Sequence, residues 1–167
     1  MRRVLSSREL RMLGTLTTES GFGGRVTELV RTLDGLCAEQ PYHRIIVYGA
    51  RTRETQAALY AQGRTTRGRI VTYAQPEQSA HCYGAAADIA MLGDRGGGWL
   101  PAEHEAWDVL ARLVRDSGLV TGSDFARLVD RPHIELPGWR DLARSGVLSL
   151  HGDAAPATGA KGGGDGG

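Results

Sequence analysis

The chain has 167 residues, of which 41% are hydrophobic and 23% charged, with a formal net charge of +1. That length and balance fit one soluble globular domain with its own core, and they exclude a membrane-spanning chain, since no apolar run approaches the needed length. Two cysteines, Cys37 and Cys82, are too few for a disulfide framework, although the sequence leaves a bond between them open.

Ser6-Ser7-Arg8-Glu9 reads as a capping box that opens a short helix through Leu10, Leu13 and Leu16. Val26, Leu29, Val30, Leu33, Leu36 and Cys37 recur at helical spacing and predict an amphipathic helix over 25–39, with Cys37 in its packed face. The β-branched run Arg44-Ile45-Ile46-Val47-Tyr48, closed by Gly49, predicts a buried strand. Thr52 can cap a helix running to about Gln62, ended by Gly63. Ile70-Val71-Thr72-Tyr73 and the segment 85–92 are further strand candidates. Pro101 suits the first turn of a helix over 102–117 that ends at Gly118, and residues 133–136 make a last short strand.

These elements lack the regular alternation of a parallel sheet, so the expected class is α+β, a small antiparallel sheet packed with helices. The domain is expected over 1–150. The remaining segment, 151–167, has eleven Gly and Ala among seventeen residues and reads as a disordered tail or linker.

Charge is unevenly distributed. Residues 1–73 carry twelve Arg against six acids, and residues 74–150 seven Arg against eleven acids. The basic half suits an anionic polymer, but no stacking aromatics accompany its arginines, so a nucleic-acid partner is not expected. The start Met1-Arg2-Arg3-Val4 has no apolar run behind it, which predicts cytoplasmic synthesis without a signal peptide and no membrane insertion.

The acidic half also carries the chemistry. Ser79-Ala80-His81-Cys82-Tyr83-Gly84-Ala85-Ala86-Ala87-Asp88 and Asp130-Arg131-Pro132-His133 offer two imidazoles and a carboxylate, with a second carboxylate three residues before the last His. A catalytic zinc needs three such N/O ligands, an open fourth position and a nearby proton acceptor. Gly84 lets the backbone turn between His81 and Asp88. Asp88 lies in an apolar strand, where a carboxylate is costly unless paired or metal-bound. The alternative for Asp130 to His133 is a plain turn, because Asp and Pro are common there. His133 and Glu135 share one side of a strand, so Glu135 competes for the base or a fourth ligand. Asp130 is preferred as base, with Glu135 orienting a ligand His. His43, His104 and His151 have no partner at ligand spacing and read as incidental, His104 on a solvated helix start.

With Tyr48-Gly49-Ala50-Arg51-Thr52-Arg53-Glu54-Thr55-Gln56 upstream, these segments resemble, in this order, the M15 zinc peptidases. That family includes D-alanyl-D-alanine carboxypeptidases and L-alanyl-D-glutamate endopeptidases, many of them phage endolysins. The resemblance covers about residues 25–140, and the Asp at position 130 looks most like the endolysin branch. It implies a hedgehog/DD-peptidase-like fold and Zn2+ held by His81, Asp88 and His133. It further implies Asp130 as catalytic carboxylate and Arg51 as the group that polarises the substrate carbonyl. The implied substrate is the peptidoglycan stem peptide, cut by a monomer released through a holin. Alternatives are a D-alanyl-D-alanine carboxypeptidase or a non-catalytic zinc-containing wall-binding module. The chain departs from the family in having Ala50 before Arg51, Cys82 after His81 and Val120-Thr121-Gly122 after Gly118-Leu119, all positions outside the ligand set.

Overall fold

The computed structural model describes residues 5–94, 97–126 and 128–151. The predicted tail lies outside the described residues except for His151. Helices α1 (Ser7–Leu13) and α2 (Phe22–Cys37) precede strand β1 (Tyr42–Tyr48), helix α3 (Arg53–Ala61) and strand β2 (Ala86–Gly93). Helix α4 (Ala106–Asp116), strands β3 (Val120–Thr121) and β4 (His133–Glu135) and helix α5 (Trp139–Arg144) complete the order. The strands form one antiparallel sheet in the order β1-β2-β4-β3. This is the expected α+β class. Among the described residues no helix is long and apolar enough to cross a membrane.

The local signals act as anticipated at both caps. The Ser6 side chain accepts from the Glu9 amide while Glu9 accepts from the Ser6 amide, so two orphan donors of α1 are satisfied reciprocally. Thr52 caps α3 by accepting from the Thr55 amide. The apolar stripe of α2 (Val26, Leu29, Val30, Leu33) is buried against β1 and α4 together with Ile46, Ile89, Leu110 and Val114. One core member is charged. Arg44 of β1 is fully buried between Glu9 of α1 and Asp34 of α2, donating to both, the latter at 2.5 Å. Two carboxylates offset the desolvation of one guanidinium and tie both helices to the strand.

Three predicted boundaries are corrected. Residues 70–73 are not a strand: Ile70, Val71 and Tyr73 are about half or more exposed, and no ladder partner faces them among the described residues. An apolar β-branched run becomes a strand only with a sheet neighbour, and among the described residues this one pairs with neither edge strand, β1 nor β3. Helix α4 starts at Ala106 rather than 102, because the Pro101 carbonyl is taken by the Trp107 indole and the His104 amide in a preceding turn. His104 is not merely solvated: its Nδ1 accepts from the Ala106 amide and its ring packs edge-on against Tyr42. Leu16 lies beyond α1 but is buried in the core. The short elements β3 and α5 had no clear sequence signal. The two cysteines are not joined by a disulfide, and the Cys82 thiol faces the Thr52 carbonyl at 3.9 Å.

Candidate active site

The sheet brings two of the predicted ligands face to face. Asp88 in β2 is the register partner of His133 in β4, so their side chains leave the same face of adjacent strands. His81 comes from the single helical turn Ala80–Tyr83 that leads into β2. Gly84 ends that turn at φ +63°, and a side chain there would collide with the Thr15 carbonyl and the His151 ring. The chain thereby reverses sharply enough to return His81 over Asp88.

One carboxylate oxygen is the hub. Asp88 Oδ1 lies 3.2 Å from His81 Nε2 and 3.2 Å from His133 Nδ1. The ligand atoms of these three residues fall within 4.8 Å of one another, and both imidazoles are at least nine-tenths buried. The opposite nitrogen of each ring is also held. His81 Nδ1 lies 2.9 Å from the Gly49 carbonyl oxygen, which can only accept, so this nitrogen donates there and a metal ion taking Nε2 would meet its lone pair. His133 Nε2 lies 3.2 Å from Glu135 Oε2, and donating there leaves Nδ1 free. Two neutral imidazoles with inward lone pairs and one carboxylate form the donor set a divalent zinc-type ion takes, with each ring fixed by an outer acceptor.

The electrostatics follow from this crowding. Burial alone would raise the Asp88 carboxyl, but hydrogen bonds from His133 and His81 hold it far below the usual carboxylate range. Burial alone would lower His133, yet the hydrogen bonds to Asp88 and Glu135 push it up to about 9. Without a cation between them, the carboxylates draw a proton onto the ring instead. Asp130 is raised above its ordinary value, by burial first and then by the neighbouring Asp88 charge.

Asp130 and Arg51 line the same cleft, a cavity of about 540 Å³ that reaches His81, Asp88 and His133. The His133 amide donates to the Asp130 carbonyl at 3.0 Å, closing a turn across Arg131 and Pro132. The Pro132 carbonyl accepts from Ile89 of β2 at 2.9 Å. The offset between carboxylate and ligand is therefore fixed by the sheet as well as by proline. Gly122 permits the fit: a Cβ there would overlap the Asp130 carbonyl and come within 2.9 Å of His133 Cβ. The Asp130 carboxyl makes no hydrogen bond among the described residues, so it is open to the cleft.

Arg51 is anchored at both ends. Its amide donates to the His81 carbonyl at 2.9 Å, and its guanidinium donates to Gln56 Oε1 at 2.6 Å while lying over Tyr48. Gln56 is itself fully buried and donates to the Ala74 carbonyl. All five predicted site residues thus line one cleft, and Glu135 joins them through His133. Sequence reasoning missed the supporting acceptors Gly49 and Gln56, and it missed Arg140, which also lines the cleft. A backbone carbonyl carries no sequence signal, and Gln56 looked like any polar helix residue.

Residues 72–136 match the M15-type peptidase family described as D-alanyl-D-alanine carboxypeptidase. Over 99 residues the chain is 34% identical to the peptidoglycan L-alanyl-D-glutamate endopeptidase CwlK of Bacillus subtilis (strain 168), a match covering 55% of this chain. The matched region spans 59% of that relative's length. The crystal structure of the Serratia marcescens L-Ala D-Glu endopeptidase ChiX superposes with a TM-score of 0.53 at 18% identity, covering 84% of this chain and 93% of that one. At that identity the likeness concerns the fold.

Proposed function

We propose, from the chain's similarity to M15-family peptidases, that it is a zinc peptidase that hydrolyses the peptidoglycan stem peptide at the L-alanyl–D-glutamate bond. The observation that carries this reading is the convergence of three correctly oriented ligand atoms with an open carboxylate and an anchored guanidinium in one cleft. The bond assignment draws on the relative in Bacillus subtilis, whose name specifies that bond.

His81 Nε2, Asp88 and His133 Nδ1 would hold the zinc ion. Bound there, it would supply Lewis acidity that lowers the pKa of its water towards neutrality and polarises the scissile carbonyl. Asp130 takes the proton of the attacking water on its carboxylate and hands it to the departing amine. Its carboxyl is free of hydrogen bonds to the described residues, which suits a group that must both accept and release a proton. Arg51 offers its guanidinium to the carbonyl oxygen as negative charge builds there, held in place by Gln56 and Tyr48. Glu135 and the Gly49 carbonyl keep the ligand rings in the productive tautomer. Glu135 is thus a positioning group rather than the base.

The stretch from Asp130 to His133 resembles the endolysin branch, and the proposal extends to a monomeric phage endolysin that is made in the cytoplasm and reaches the wall through a holin. The test is to digest purified sacculi with the zinc-loaded protein and label new amino termini. Free D-glutamyl amino groups are expected. Release of free D-alanine alone would instead establish the carboxypeptidase reading, which the matching family's description favours. An open carboxylate and an anchored arginine argue against a non-catalytic wall-binding module, which needs neither. If wild type and Asp130→Ala bind zinc and sacculi but are equally inert, the binding module replaces the enzyme.

A further inference from the structure

A second cation in the cleft has no place in the chemistry above. Arg140 lies in the first turn of α5 and lines the same cavity as the ligand triad. Its guanidinium stacks on the Trp139 ring at 4.5 Å from the centroid, and Trp139 packs on Tyr83 of the turn that carries His81. Arg140 is exposed at the cleft's edge, and the stacking restrains its side chain without occupying its N–H donors. No carboxylate pairs with it among the described residues. Of the other charged groups nearby, Glu135 is engaged with His133, Arg51 with Gln56, Arg53 with Glu77 and Arg144 with Asp141, while Asp130 is the open carboxylate already assigned to the water. Arg140 also borders an adjoining hollow of about 260 Å³ that shares Gln78 with the cleft. A preorganised, unpaired guanidinium beside a hydrolytic centre is a receiver for an anion on the substrate.

Stem-peptide chemistry supplies that anion. In an L-alanyl–D-glutamate bond the glutamate continues the chain through its γ-carboxyl, so its α-carboxylate remains free two bonds from the scissile nitrogen. Drawn into the cleft without a cation, that carboxylate would lose its hydration uncompensated. We propose that Arg140 binds this α-carboxylate on the amine side of the scissile bond and so selects stems with D-glutamate over those with its α-amide, D-isoglutamine. The inference rests on the stem-peptide reading of the cleft. A terminal D-alanine carboxylate offers the same chemistry from another source, and the experiment separates the two.

The assay compares kcat/KM of the zinc-loaded full chain on L-Ala–γ-D-Glu–diaminopimelate and on the matching D-isoglutamine peptide, for wild type, Arg140→Gln and Arg140→Lys. Wild type is expected to prefer the carboxylate by about tenfold or more, the effect lying mainly in KM. Arg140→Gln should erase the preference while changing the amide substrate by less than about threefold, and Arg140→Lys should restore part of it. Equal losses on both peptides, or a preference that survives Arg140→Gln, would overturn the assignment. Discrimination that depends on Arg140 only between a D-Ala–D-Ala stem and its C-terminal amide would overturn it in favour of the terminal carboxylate. Calorimetric titration of γ-D-Glu–diaminopimelate and its α-amide separates this inference from the proposed function. Selective binding that needs Arg140, with no stem hydrolysed, sinks the peptidase and keeps the subsite; hydrolysis without that selectivity does the reverse.

Discussion

Glu135→Gln isolates what the outer carboxylate does for the metal centre. Glutamine keeps the volume and an oxygen that can accept from His133 Nε2, but it removes the charge. In the metal-free protein burial would lower His133, yet Asp88 and Glu135 push it up to about 9. At pH 7.5 a ring with that pKa is protonated in about 97% of molecules, so a metal taking Nδ1 must displace about one proton and loses about 30-fold in apparent affinity to that competition. Zinc binding by the wild type should therefore tighten as pH rises and level off above about pH 9. Without the Glu135 charge the ring pKa falls, and less than one proton is released from it at pH 7.5. At pH 9.5, where competition has faded, the variant should bind zinc about 10- to 100-fold more weakly because the ligand is less basic and less firmly oriented. At pH 7.5 the gap should narrow, since only the wild type still has a full proton to displace. Isothermal titration with a competing chelator, in pairs of buffers with different ionisation enthalpies, reads both affinity and proton count. An unchanged proton count together with the same affinity ratio at both pH values would refute this account of Glu135.

The same raised pKa sets a stability trend for the metal-free protein. Stabilisation from protonated His133 is full below about pH 6.5 and is lost as pH rises through about 9, so the metal-free Tm should fall across that window and fall less in Glu135→Gln. Asp130→Asn should lower kcat by about 100- to 10,000-fold with zinc stoichiometry unchanged by metal analysis. Gly122→Ala forces a methyl against the Asp130 carbonyl and His133, which should cost about 1–3 kcal/mol in denaturant unfolding and reduce zinc affinity as well. Ending the chain after Leu150 removes the bond from the His151 amide to the Cys82 carbonyl at 2.7 Å and that from the Arg53 amide to the His151 carbonyl at 3.1 Å. A stability loss of about 1–3 kcal/mol by the same measurement is expected.

Much of the site was legible in the order of residues because its chemistry is local. His81 and Asp88 are separated by one tight turn, Asp130 and His133 by another, and Ser6 and Thr52 announce their helices through side chains that reach only three residues ahead. The class of fold followed from the same short-range patterns. Long-range pairing was not legible. Residues 70–73 have strand composition but no strand, since pairing depends on which neighbours the sheet has room for. The opposition of Asp88 and His133 is a register between strands 45 residues apart, and Glu135 acquires its role only when that register turns His133 Nδ1 towards Asp88. Arg140 was an ordinary surface arginine until α5 folded against the turn bearing His81. The sequence by itself determined which ligand types are present and how each short motif bends, because these depend on side chains a few bonds apart. Tertiary structure alone decided which ring nitrogen faces the metal position and which arginines reach the cleft, because both depend on groups brought in from distant segments.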